Sequence, residues 1–474
     1  MFSPLPPVRS GIAHYTTELL GELSRTHEID VFVGSSAELA GASASSSDVS
    51  DGSESDPRTA GGQTPRGQTP WGQTPSSGWS ARSAHEFVWA RQRTPYDLVV
   101  YQVGNASCHD YMWPYLFRWP GLTVLHDGHL HHARAWSLLR RGRQDDYREE
   151  LQFNHPAASA DAAEIGISGF AGPVYFFWPM LRAVAASSRA VAVHSMSLAD
   201  ELRQAHPQSA VHVVPMGVSD PAAAGDRGPI RRRHGFTDDT VVVAAFGAVT
   251  AEKRIAELMT AFAVARAYQP EARLLLVGQP MAGFDAMRCA RDLGIAGLVT
   301  VTGYVADAEL SGYLLAADVV SALRWPTARE TSASWIRALG AGRATIISDL
   351  AQHGDVPALD PRSWTLVHAR PTQAPLEPVA VSIDLLDETH SLTRALKRLM
   401  TDAALRARLG EAARRHWAAR HTLPHMGAAY ELAVADAARR PDPVTPIPAH
   451  LRADGAEHTR ALLAGLGLAD PLAR

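Results

Sequence analysis

Two stretches of the chain place ionisable side chains where a strand gives way to a helix. The first is Phe246-Gly247-Ala248-Val249-Thr250-Ala251-Glu252-Lys253-Arg254. A β-branched run ends at Gly247, and a helix opens with two cations. Lys as a point charge and Arg as a planar fork suit a diphosphate. Positive charge at a helix N-terminus is otherwise unfavourable, because the macrodipole is already positive there. An external anion would relieve that; solvated charges at a helix start are the plainer alternative. The second stretch runs Leu323-Arg324-Trp325-Pro326-Thr327-Ala328-Arg329-Glu330-Thr331-Ser332. Glu330, Thr331 and Ser332 precede a helical stretch whose first backbone N–H groups face outward and can hold phosphate. A carboxylate at that place can orient sugar hydroxyls, and Arg324 adds a cation. The plainer reading makes Thr331 or Ser332 a helix cap.

Three weaker patterns lie nearer the N-terminus. Ser10-Gly11-Ile12-Ala13-His14-Tyr15 follows Pro4-Leu5-Pro6-Pro7. Gly11 there lets a phosphate or sugar approach free N–H groups, or Ser10 simply caps a helix. Leu125-His126-Asp127-Gly128-His129-Leu130-His131-His132 follows a strand. His126, nearest the strand end, is the histidine expected to touch substrate. No His/Asp/Glu set at a recognised metal spacing accompanies it, so no metal is expected. Gln102-Val103-Gly104-Asn105 ends another strand in the same way. Asn105, His109 and Asp127 are the candidates for an acceptor pocket. The aromatic clusters at 111–115 and 175–179 read as packing, or as surfaces for a sugar or a lipid-linked acceptor.

The elements that would position these residues are short apolar runs alternating with helical stretches. Runs at 29–34, 98–103, 122–126, 190–194 and 211–215 form one series, and 241–247, 273–278, 299–303, 319–323 and 344–348 a second. Helical spacing appears at 11–24, 197–206, 254–267, 306–316, 332–340 and 402–421. Continuous apolar strands alternating with helices predict parallel sheets covered on both faces. The fold class expected is α/β, with two doubly wound, parallel-sheet, Rossmann-like domains facing across a cleft. Such sheets bind ligands beyond the carboxyl ends of their strands. The division expected is an N-terminal, acceptor-side domain over 1–218, a nucleotide-sugar domain over 219–423, a helix over 424–440 and an extension over 441–474. A Ser/Gly/Thr/Pro-rich segment at about 40–82, with a repeated Gly-Gln-Thr-Pro, reads as a disordered insertion within the first domain.

Composition excludes several classes. The chain has 474 residues and a formal net charge of -4, from 45 basic and 49 acidic side chains. That asks for no nucleic-acid partner and no polybasic anchor. Two cysteines, Cys108 and Cys289, rule out a disulfide scaffold and a cysteine zinc site. No apolar run reaches the roughly 20 residues a spanning helix needs, and the N-terminus lacks the pattern of a signal peptide. A soluble cytoplasmic protein is expected, with peripheral membrane contact through the aromatic clusters left open. No Gly-x-Gly-x-x-Gly follows the first strand of either half, which disfavours a dehydrogenase.

Taken in order, these residues resemble a known family. Pro6-Pro7-x-x-Ser10-Gly11-Ile12-Ala13-x-Tyr15, the His126-Asp127 strand end, Val214-Pro215-x-Gly217-Val218, Phe246-Gly247…Lys253-Arg254, Arg324-x-Pro326-Thr327…Glu330-Thr331-Ser332 and Ala341-Gly342-Arg343-Ala344-Thr345-Ile346-Ile347-Ser348-Asp349 are similar to the GT-B-fold, retaining glycosyltransferases of family 4. The likeness spans about Met1 to Tyr430. It implies transfer of a sugar from a nucleoside-diphosphate sugar to a hydroxyl of a carbohydrate, lipid-linked or small-molecule acceptor, with retained configuration and without a metal or other cofactor. Gly11 and Gly247 would approach the donor phosphates, and His126 the donor sugar. Lys253, with Arg254 or Arg324, would neutralise the leaving diphosphate. Glu330, with Thr331 and Ser332 beside it, resembles the first carboxylate of the family's Glu-x7-Glu motif. Arg337 stands in the place of the second carboxylate, which commonly binds ribose. A nucleotide-sugar epimerase or hydrolase and an inactive nucleotide-sugar-binding scaffold are the competing readings.

Overall fold

The computed structural model describes residues 1–45, 78–158, 160–169, 172, 174–367, 376–453 and 456–468. Two parallel sheets carry the chain. In the first half, β1 (Ile29–Val33) pairs with β2 (Trp79–Ser83). The strands β3 (Val100–Val103), β4 (Leu122–Leu125), β5 (Ala190–Val193) and β6 (Val211–Val213) form a parallel run in that order. Phe2 joins the two pieces by bridging Phe32 on one side and Tyr101 on the other. The Phe2 N–H donates to Val100 O at 2.7 Å, and the Phe32 N–H donates to Met1 O at 2.7 Å. The order is therefore β2–β1–Phe2–β3–β4–β5–β6. It reverses between Phe2 and β3, and the loops after both carry candidate residues, Gly11 and Asn105.

The second sheet runs β13–β12–β14–β11–β10–β7–β8–β9. Its strands are β7 (Val242–Phe246), β8 (Arg273–Val277), β9 (Val299–Val301), β10 (Val319–Ala322), β11 (Ala344–Ser348), β12 (Ala358–Leu359), β13 (Leu366–Val367) and β14 (Ala380–Ile383). Only the β12–β13 pair is antiparallel among the described pairings. From β7 the chain proceeds outward to β9, then returns to lay β10 on the other side of β7. The order reverses between β7 and β10, so the loops carrying Lys253 and Glu330 part from neighbouring strand ends. Both central strands are buried on their two faces, as their unbroken apolar sequences require.

The helices that matter for the site are α1 (Gly11–Leu23), α2 (Ser36–Ser45), α3 (His131–Leu139), α4 (Met196–Ala205), α5 (Ile255–Ala265), α6 (Ala333–Gly340), α7 (Glu388–Thr401), α8 (Ala403–Arg420), α9 (Leu423–Arg439) and α10 (Ala449–Arg452). The expected insertion at 40–82 is narrower at both ends. Residues up to Ser45 belong to α2, and Trp79–Ser83 pairs with β1 as β2. Residues 46–77 lie outside the described ones. Strands β2 and β12–β14 were not legible in the sequence, because they are short or interrupted by polar residues.

Helix α9 leaves the second sheet and packs on α1, β4 and β5. Its buried face is Met426, Gly427, Tyr430, Ala433 and Ala437. The Tyr15 hydroxyl donates to the Tyr430 hydroxyl at 2.9 Å, and the Gln102 amide donates to the same oxygen at 3.1 Å. Beyond α9, α10 places Leu451 in the first-domain core, with His450 between Glu149 and Glu150 at 2.9 Å from each. Tyr430→Phe would leave the Tyr15 hydroxyl and the Gln102 amide short of a partner in a buried site. The expected cost is about 1–3 kcal/mol, read as a lower denaturation midpoint. An unchanged midpoint would remove this network from the account.

Candidate functional site

Lys253 lies beneath the carboxyl end of β7, where its ammonium donates to Phe246 O. Gly247 has φ +90, and a Cβ there would run into Lys253 Nζ. A glycine is therefore needed for the lysine to turn back under the strand. From the adjacent strand end, Arg324 Nε reaches Glu330 Oε1 at 2.6 Å, while the Thr327 hydroxyl donates to Glu330 Oε2 at 2.9 Å. The Arg324 N–H is tied to Ser348 Oγ at 3.1 Å, and the Ser332 hydroxyl caps α6 by accepting from the Trp335 N–H at 3.3 Å. Lys253, Arg324, Glu330, Ser332 and Ser334 line one pocket. Burial and the charge of Arg324 bring Lys253 down to about 7, with Glu330 pulling the other way. Two cationic side chains share one carboxylate, which is an electrostatic vacancy for an anion.

The cleft is closed over this pocket, leaving about 30 Å³ of free volume around Lys253. Room on that scale admits about one water. The Gly128 N–H donates to Ala328 O at 2.7 Å across the cleft, and Arg329 pairs with Glu201 of α4. Arg337 meets Glu18 of α1 at 3.0 Å, His14 meets Asp307 at 3.0 Å, and the Arg9 guanidinium lies over Tyr304 at 4.3 Å. Burial opposes ionisation of Glu18, but the His14 hydrogen bond and the Arg337 charge outweigh it and hold the carboxyl at about 2. These contacts tie the two halves of the chain together across the cleft.

Several expected site residues are placed otherwise. Arg254 takes a left-handed backbone, φ +54, and turns away from Lys253 to pair with Glu388 of α7 and Glu257 of α5. Its charge stabilises the domain rather than facing the pocket. His126 is buried, its Nε2 at 2.8 Å from Gln102 Oε1 and its Nδ1 at 3.1 Å from His194 Nε2. Burial, then the neighbouring His194 and His109, pushes its pKa well below the ordinary value. With both ring nitrogens committed, His126 holds β3, β4 and β5 together and has no free atom for a substrate. Asn105 is occupied as well: its Oδ1 accepts from the Ala133 N–H at 2.9 Å at the start of α3. His109 is 1 % exposed, and neither ring nitrogen has a hydrogen-bond partner. Thr331 lines a different cavity from Lys253. Gly11 opens α1 with free space before its Cα, and Ser10 caps that helix by accepting from the Ala13 N–H at 3.0 Å.

Asp127, not His126, is the group of its motif that senses the opposite domain. Burial and then the charge of Glu330 raise it to about 7, against the Asn105 N–H that donates to its Oδ2 at 2.6 Å. Of the aromatic clusters, Met112 and Trp113 are core. In the second cluster Phe177 is exposed, and Tyr175 packs edge-on to His131 and His132. Gln102, Thr327 and Ser348 lay in motifs quoted from the sequence but were given no role of their own, and His194 and Gln352 were not singled out, because a single polar residue carries no spacing signal.

Residues 240–370 match the family model described as glycosyl transferases group 1. A D-inositol 3-phosphate glycosyltransferase of Stackebrandtia nassauensis is 32% identical over 256 residues, which are 51% of this chain and 53% of that one. The chain thus matches about half the length of that curated relative. Among solved structures, the sucrose-phosphate synthase of Thermosynechococcus elongatus aligns at TM-score 0.55 and 17% identity, over 89% of this chain and 92% of that one. Anabaena HepE in complex with UDP aligns at TM-score 0.58 and 12% identity, over 92% and 98%. The chain has the GT-B fold.

The Asp127 shift has a measurable consequence. A folded-state value near 7 against the ordinary 3.8 means that the native state holds an extra proton between those values. The stability this group contributes is present below about 4 and is lost as pH rises through about 7. Asp127→Asn keeps an acceptor for Asn105 and removes the charge. It should gain more stability relative to the parent at pH 8 than at pH 5, by urea unfolding. An equal difference at both pH values would contradict the assignment.

Proposed function

We propose that the protein is a glycosyltransferase that uses a nucleoside-diphosphate sugar and retains anomeric configuration. The observation that carries this reading is the meeting of Lys253, Arg324 and Glu330 at the switch point of the second sheet. The match of 240–370 to the glycosyl transferases group 1 model and the GT-B fold support it. HepE is crystallised with UDP and glucose, which supports a nucleotide-sugar donor. The inositol 3-phosphate relative supports a small polyol or sugar acceptor.

Cleavage of a glycosyl–phosphate bond leaves negative charge on the diphosphate and positive charge on the anomeric carbon. The Lys253 ammonium and the Arg324 guanidinium stabilise the first. They are pre-placed in a small, buried pocket, where charge acts strongly. Glu330, fixed by Arg324 and the Thr327 hydroxyl, offers its carboxylate to donor-sugar hydroxyls. With two cations already facing the leaving group, transfer needs no divalent ion in this proposal. The departing phosphate oxygen takes the acceptor proton, so no separate base is assigned. The cross-domain contacts exclude water during transfer and part for donor entry and product release. Arg337, paired with Glu18, offers no carboxylate to a ribose, so the nucleoside is held by other groups.

Among the described residues no helix is long and apolar enough to cross a membrane. In this reading the protein works from the cytoplasmic side, where nucleotide sugars are made, and exposed Phe177 gives it a route to peripheral membrane contact.

Lys253→Ala should lower turnover about a hundredfold or more while the circular dichroism spectrum stays that of the parent. Glu330→Gln should raise the KM for the donor sugar and leave UDP affinity unchanged. Parental turnover in Lys253→Ala would overturn the mechanism.

A further inference from the structure

A larger cavity, about 390 Å³, lies at the hinge between the domains. That is within the range of small-molecule pockets, about 300–1,000 Å³. The first domain contributes His194, Ser195, Met196, Val213 and Pro215. The second contributes Thr331, Trp335, Ile336, Gln352, His353, Asp355 and Val356, and the α8–α9 junction His416, Arg420, His421 and His425. Trp335, Gln352 and His353 also line the Lys253 pocket, so the two spaces share a wall.

The hydrogen-bonding inventory of that wall combines donors with acceptors. His353 Nδ1 lies 3.0 Å from Ser348 O, and His421 Nδ1 lies 3.0 Å from Met216 O. A carbonyl accepts only, so both Nδ1 atoms carry the proton and both Nε2 atoms are acceptors when the rings are neutral. Burial lowers the pKa of the His353 and His421 rings, and brings that of His416 down to about 4, which favours the neutral forms. Gln352 spends an N–H on Thr327 Oγ1 at 3.1 Å, which leaves its carbonyl oxygen for a ligand. Asp355 adds a carboxylate and Arg420 a guanidinium, and neither is in an ion pair among the described residues. Formal charge therefore cancels, and the wall offers both donors, from Arg420, Ser195 and Thr331, and acceptors, from His353 Nε2, His421 Nε2, Gln352 and Asp355. A phosphate, which only accepts, would leave those acceptors unanswered and would face the Asp355 carboxylate. A ligand with several O–H donors and apolar C–H faces fits, the faces resting on Val213, Pro215, Ile336 and Val356.

We propose that this hinge cavity binds an uncharged polyol or sugar, the acceptor whose hydroxyl is delivered through the shared wall to the Lys253 pocket. The role of acceptor rests on the transferase reading; the binding itself does not. Gln352 links the two spaces, since Thr327 bonds both it and Glu330.

The test uses the full chain and three probes: myo-inositol, methyl α-D-glucopyranoside and inorganic phosphate, followed by saturation-transfer NMR, with UDP titrated separately by calorimetry. At least one of the two polyols should bind the parent. Arg420→Ala and Asp355→Ala, both at partly open positions, should each weaken that binding about tenfold or more, the worth of a hydrogen bond to a charged group. UDP affinity should stay unchanged in both. Polyol binding untouched by both substitutions, phosphate binding that both abolish, or a parent that binds neither polyol would each overturn the proposal. Polyol binding in a chain that fails to bind UDP would leave this site standing and remove the donor reading instead.

Discussion

Two cationic side chains lining one small buried pocket with a single carboxylate are the constraint on which the rest of the second domain depends. Arg324 is satisfied by Glu330, and Lys253 by a single backbone carbonyl. Like charges so placed disfavour one another, and burial of the ammonium adds to the cost. Gly247 leaves room for the lysine to fold back, the Ser348 hydroxyl holds the backbone of Arg324, and Glu330 holds its guanidinium. Such stored electrostatic tension is what an arriving diphosphate would release. It also explains why the fold holds the pocket shut at rest, with water the alternative partner.

Arg254 and Arg337 show how the same residue type serves opposite ends. Arg254 follows Lys253 directly, yet its left-handed backbone sends it to Glu388 and Glu257. Arg337 stands where the family resemblance places a carboxylate, and its partner Glu18 lies on the other domain. That ion pair is mostly withdrawn from solvent at both ends, 12 % and 10 % exposed. The side chain at this position is thereby part of the contact between the two halves of the chain.

The alternation of apolar strands and helical stretches made the two-domain architecture legible, because strands buried on both faces must be apolar throughout. Lys253, Arg324 and Glu330 were legible for the same reason: they stand at the ends of such strands, where a polar residue has nothing to bury. The reading failed where adjacency in sequence was taken for adjacency in space. His126 and Asp127 are neighbours with different surroundings: His126 bonds Gln102 and His194, while Asp127 senses the charge of Glu330. Phe2 was missed as a sheet residue because one bridging position between β1 and β3 has no period to detect. The hinge cavity was invisible because its wall comes from five separate segments.

The chain has two lysines, Lys253 and Lys397. Carbon-13 labelling of the lysine ε-methylenes therefore gives two resonances, which Lys253→Arg assigns. In the free protein the Lys253 signal should titrate near 7, and saturating UDP should move that midpoint upward as the diphosphate holds the ammonium charged. A Lys253 signal that titrates at the ordinary 10.5 and ignores UDP would contradict the account.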